Sequence, residues 1–98
     1  MATSKRTLHI ELAPELKAAI RRLPKRQRKQ IGEVITAVRD GFGAPHLHSG
    51  LGIRRLRGSL FECRVGLKLR LVFDVESGVL SFSDLGTHDE IRKIIKNR

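Results

Sequence analysis

His88 stands in the stretch Leu80 to Ile91, LSFSDLGTHDEI, where an alternating apolar segment runs into Gly86 and a helix start follows at once. Imidazole titrates near neutrality, so a histidine at such a junction is well suited to giving or taking a proton. Upstream, Glu62, Arg64, Lys68 and Arg70 recur at even spacing, which in paired strands puts all four on one sheet face. A strand beside the one that holds Arg70 brings His88 to the flank of this patch. Its cations would hold a phosphodiester and stabilise charge growing on the oxygens, while His88 or Glu62 moves a proton. These groups are the minimum apparatus for metal-free cleavage of RNA by its own 2′-hydroxyl. The same patch equally suits a binding face without chemistry, and a histidine at a helix start is commonly just a surface residue. Thr87 and Glu90, three apart, form a capping-box pattern that accounts for Thr87, Asp89 and Glu90 without any ligand.

The elements that must position these residues are legible from periodicity. TLHIEL, residues 7–12, alternates and predicts a strand with Leu8, Ile10 and Leu12 on one face. APELKAAIRRL carries Pro14 at a first helical position, with Leu16, Ala19, Ile20 and Leu23 on one stripe. Pro24 ends that helix, and Ile31, Val34, Ile35 and Val38 repeat the stripe up to Gly41, so a helix hairpin is expected. FGAPHLHSGLG, residues 42–52, reads as a loop because of its glycine and proline. The period then changes: IRRLRG, LFECRVG, LKLRLVFDV and VLSFSDL predict four consecutive strands in an antiparallel meander. Phe61, Cys63 and Val65, then Leu67, Leu69, Leu71 and Phe73, mark an apolar face that should carry the helices. Arg55 and Arg57 are expected on one face of the first meander strand and Arg54 on the other. THDEIRKIIKNR closes the chain as a helix with Ile91, Ile94 and Ile95 as its apolar side. The expected class is therefore α+β, one domain over residues 1–98.

Charge narrows the partners. Twenty Lys and Arg against ten Asp and Glu leave a net +10, spread evenly along 98 residues, which suits a polyphosphate backbone or an acidic protein. RRLPKRQRK, Arg21 to Lys29, and RRLRG, Arg54 to Gly58, concentrate it; such runs are solvated faces or sites that steer the chain to RNA. One cysteine, Cys63, rules out an internal disulfide and a multi-cysteine zinc site. His46 and His48 have no ligand partners at metal spacing, so no metal and no cofactor is expected. The start MATSKRTLHIEL lacks a signal-peptide core and no apolar run reaches membrane-spanning length, so a cytoplasmic protein without a membrane partner is expected.

GIRRLRGSLFECRVGLKLRLVFDVESGVLSFSDLGTHDEI resembles the second half of the RelE/ParE superfamily of toxins from type II toxin–antitoxin modules. An L-x-G turn leads to a strand ending in R-x-G, then R-L-V-F, and finally G-T-H-D-E. The likeness covers roughly residues 7–95; the second half carries it, whereas the helix hairpin is generic. It implies a RelE-like fold and a ribosome-dependent endoribonuclease that cuts mRNA in the A site, stops translation and is restrained by a cognate antitoxin. It also implies that Arg70 contacts the scissile phosphate and that His88 donates a proton to the leaving 5′-oxygen or acts as its partner base. Arg64 and Lys68 would assist, and Glu62 is a weaker carry-over. By charge and not by this likeness, Arg54, Arg55 and Arg57 would bind RNA. The chain departs from many relatives in having no Tyr or Trp to stack on a base, and the alternation buries at least Phe61 and Phe73 of its four Phe. A ParE-like DNA gyrase inhibitor on the same fold and a non-catalytic nucleic-acid-binding module are the alternatives.

Overall fold

The computed structural model describes residues 8–98; Thr7, at the head of the expected first strand, lies outside them. The chain runs β1 (His9–Leu12), α1 (Pro14–Arg21), α2 (Lys25–Gly41), α3 (Pro45–Leu51), β2 (Arg54–Arg57), β3 (Leu60–Val65), β4 (Leu69–Glu76), β5 (Val79–Thr87) and α4 (His88–Lys96). The five strands are ordered β1-β5-β4-β3-β2. The β2–β5 meander is antiparallel, and β1 returns parallel to β5, with Ile10 opposite Leu80.

The helix hairpin packs on one sheet face because its stripe and the strand alternation coincide. Leu16, Ile31, Ile35 and Val38 are buried against Cys63, Val65, Leu71, Phe73, Leu80 and Phe82, with Leu8, Ile10 and Leu12 at the margin. Burial in this core pushes the Cys63 thiol up to about 12, so it remains a protonated packing group. Phe82 joins Phe73 in the interior, and Phe42 sets its ring edge-on to both Phe61 and Phe73. All four phenylalanines thus form one cluster.

The opposite face is not purely polar. Val72, which the alternation groups with Lys68 and Arg70, is fully buried there with Leu60 and Ile91, flanked by Leu56, Ile94 and Ile95. Helix α4 folds back over this second, smaller core, so helices cover both faces. Two bulges interrupt the alternation of the sheet. In β5 the register slips between Val72 and Phe73, with Asp84 opposite one and Phe82 opposite the other. The extra residue, Ser83, shifts the parity, so that Leu85 continues the large-core side begun by Leu80 and Phe82.

In β2 the register slips between Arg55 and Arg57. This overturns the expected pairing of those two arginines. Arg57 lies opposite Leu60 on the α4 side with Arg54, and Arg55 alone occupies the other face, its guanidinium 5.8 Å above the Phe61 ring. Two further expectations are corrected. The 42–52 segment contains α3, because its proline sits in the first helical turn and Gly52, at φ 67°, caps the end in the left-handed conformation. There the two residues act as helix punctuation. Strand β4 begins at Leu69, leaving Leu67 in the hairpin turn and 99 % exposed.

Candidate active site

The site grows from the meander register. On the α4 side, Arg54 of β2 lies opposite Glu62 of β3, which lies opposite Val72 of β4. One pair further along, Arg64 faces Arg70, which faces Gly86 of β5. Long side chains reach diagonally across such pairs. Arg70 Nη1 lies 3.3 Å from Glu62 Oε2, and Arg54 Nη2 lies 3.4 Å from the same oxygen. Glu62 is 2 % exposed, a buried carboxylate held between two guanidiniums, which is how such a charge is tolerated in a protein interior.

The pair Leu69 and Thr87 brings the start of α4 beside the start of β4. Thr87 caps that helix: its Oγ1 accepts from Glu90 N at 3.2 Å, and Glu90 Oε1 accepts from Thr87 N at 2.7 Å. His88 follows as the first helical residue and is exposed. It lines a cleft of about 240 Å³ with Arg54, Glu62, Arg92 and Lys96, walled by Leu56, Ile91 and Ile95. Arg64 lies across Gly52, where a Cβ would stand 2.5 Å from its Nε, and donates from Nη2 to Ser49 O at 3.2 Å. Lys68 is exposed in the β3–β4 turn, next to Leu69.

Four of the residues singled out in the sequence therefore converge: Glu62, Arg70, Arg54 and His88. Arg64 adjoins them through its pairing with Arg70; Lys68, expected on the strand face with Arg70, lies instead in the turn before β4. Arg55 does not join, being on the other face, and Arg57 is engaged at the far end of α4, donating from Nη2 to Arg98 O at 3.3 Å. Arg92 and Lys96 were missed by the sequence reading. Their signal was the spacing His88, Arg92, Lys96, one position per helical turn on a single face.

The cap gives a direct expectation for stability. Thr87→Ala should cost about 1 kcal/mol, the usual loss for an N-cap hydroxyl. Glu90 adds a pH dependence. Hydrogen bonds from the Thr87 backbone and then its side chain hold the carboxyl below its ordinary 4.5. A depressed folded-state value stabilises above the unfolded value and is lost as pH falls through the lowered one. Amide protection of α4 should thus weaken on acidification below pH 4.5; hydrogen exchange should show Thr87→Ala, which keeps the backbone donor to Glu90, losing only the smaller side-chain part of that dependence, and Glu90→Gln losing all of it.

These elements define a mixed five-stranded sheet with a helix hairpin on one face and a short capped helix presenting a histidine over a basic cleft on the other. No family model matches the chain, and no curated protein matches it. Solved structures do. A chain of the archaeal RelE–RelB complex from Pyrococcus horikoshii OT3 superposes with a TM-score of 0.69 at 18 % identity, over 83 % of this chain and 94 % of that one. A mutant of E. coli toxin RelE in the free state gives 0.65 at 16 %, over 93 % and 97 %. The E. coli DinJ–YafQ toxin–antitoxin complex gives 0.64 at 16 %, over 87 % and 97 %. The chain has the fold of RelE-like toxins.

Proposed function

We propose that this chain is the toxin of a type II toxin–antitoxin module and a ribosome-dependent endoribonuclease that cuts mRNA in the A site. The observation that carries the reading is that Arg54, Glu62 and His88 line one cleft, with Arg70 joined to it through its ion pair with Glu62. Support comes also from neighbours that are RelE and YafQ toxins, two of them in complexes with RelB or DinJ. Those neighbours lend nothing to the gyrase-poison alternative. A cognate antitoxin would lay acidic and apolar segments over the basic face.

The nucleophile is the message's own 2′-hydroxyl. The 2′-oxygen attacks the adjacent phosphorus as a base takes its proton. The P–O5′ bond breaks as a proton reaches O5′, leaving a 2′,3′-cyclic phosphate and a 5′-hydroxyl. Arg70 holds a non-bridging oxygen, with Arg64 and Lys68 adding positive potential where charge accumulates. His88, exposed at the cleft mouth, transfers a proton.

The test is incubation of the purified protein with ribosomes programmed with a defined message, mapping new 5′ ends by primer extension. A-site cuts made by wild type and lost in Arg70→Ala are expected. Intact message in the presence of excess folded wild-type protein overturns the nuclease reading.

A further inference from the structure

We propose that Glu62 is a positioning residue: its carboxylate locks Arg54 and Arg70 into a two-pronged seat for one phosphodiester group. This rests on the nuclease reading for its catalytic consequence, but the clamp itself is a property of the folded chain.

The strand order supplies the geometry. β3 lies between β2 and β4, so Glu62 has an arginine strand on each side, Arg54 directly opposite and Arg70 on the diagonal. Both guanidiniums meet one oxygen, Oε2. Exposure is graded across the three: the Glu62 side chain is 2 % exposed, Arg70 26 % and Arg54 66 %. The carboxylate therefore lies at the floor and the cations rise from it towards solvent. A guanidinium has five N–H donors; each arginine gives one nitrogen to Oε2 and keeps donors for a second anion.

Charge favours the same arrangement. Two like-charged guanidiniums this close repel, and the apolar walls of Leu56 and Ile91 in the cleft with Arg54 and Glu62 screen little. The single negative charge of Glu62 removes the repulsion and leaves the group one positive charge in excess. An arriving phosphodiester, with one negative charge, completes the neutralisation, with one prong for each non-bridging oxygen. A floor carboxylate covered in this way is poorly placed to take a proton from a ribose hydroxyl, which leaves proton transfer to His88.

Glu62→Gln keeps the shape and removes the charge, so it separates the two roles. Nitrogen NMR of the arginine side chains should show restricted guanidinium rotation at Arg70 in wild type and averaged signals in the variant. Affinity for a non-cleavable 2′-O-methyl RNA oligonucleotide should rise about two- to fivefold, the scale of one screened charge. Cleavage on programmed ribosomes should nevertheless slow by about tenfold or more, the cost of a mispositioned group, with the shape of the pH–rate profile unchanged. A general base would instead lose the acidic limb of that profile and about 10² to 10⁴ in rate.

Arg54→Ala provides a second variant that leaves the Glu62–Arg70 pair in place. It should keep Arg70 rotation restricted while weakening oligonucleotide binding. Unchanged guanidinium dynamics in Glu62→Gln, loss of the acidic limb, or wild-type oligonucleotide affinity in Arg54→Ala overturns the clamp. If wild type cuts no message, the NMR and binding measurements still decide the clamp independently of the nuclease reading.

Discussion

His88→Ala is expected to slow message cleavage by about 10² to 10⁴-fold, the range spanned by a positioned proton-transfer group. The fold should not notice. His88 is exposed and its side chain takes no part in the capping box, which is built by Thr87 and Glu90, so stability should stay within about 0.5 kcal/mol of wild type, as for surface substitutions elsewhere. That separation makes the variant informative: a fall in rate can be assigned to chemistry and not to loss of α4. Single-turnover cleavage on programmed ribosomes, beside a thermal melt, provides both numbers. His88→Gln, which keeps a hydrogen-bonding side chain but cannot titrate, should be nearly as slow. A variant within twofold of wild type in rate would remove His88 from the mechanism and return it to the ordinary surface residue that its position alone allows.

The cap and the histidine were legible together in GTHDE because a capping box is local: Thr87 and Glu90 need only their spacing to find each other. The same holds for the helix stripes through Leu16 and Val38, and for the glycine-bounded strands, whose periodicity is a property of each segment by itself. What was not legible was parity. A bulge inserts one residue without changing local composition, so nothing in RRLRG announces that Leu56 and Arg57 would both oppose Leu60. The face of Arg57 followed wrongly from strict alternation. Nothing in SFSDLG marks Ser83 as the inserted residue either.

Val72 was a related case. Its apolar side chain sat on the face assigned to Glu62, Arg64 and Arg70, and only the return of α4 explains it. Helix α3 was hidden for another reason: proline and glycine bracket a seven-residue helix and a loop in the same way. At the site, the evenly spaced Glu62 and Arg70 were read as neighbours on one face. Their joint engagement with Arg54 depends on a cross-strand register that no single segment contains.

Ile91→Ala should have the largest effect on stability among the residues that serve the site, and a local one. Ile91 is 1 % exposed, buried against Leu60 and Val72, and truncating a buried isoleucine to alanine costs about 2–5 kcal/mol. Helix α4 has nine residues, too few to persist unsupported in water, so it depends on this contact. The larger core on the other sheet face contains none of these side chains and should keep the strands and the helix hairpin folded. Hydrogen exchange should therefore show protection lost throughout α4 and retained in β4 and β5. Cleavage should fall with it, because His88 is then no longer held over Glu62 and Arg54. Ile91→Val, costing about 0.5–1.5 kcal/mol, should recover most of the protection and most of the rate. If α4 instead stays protected in Ile91→Ala, its anchorage lies in the polar contacts at its other end, where Arg98 pairs with Asp84 and accepts from Arg57. Apolar burial under α4 is then not what fixes the histidine.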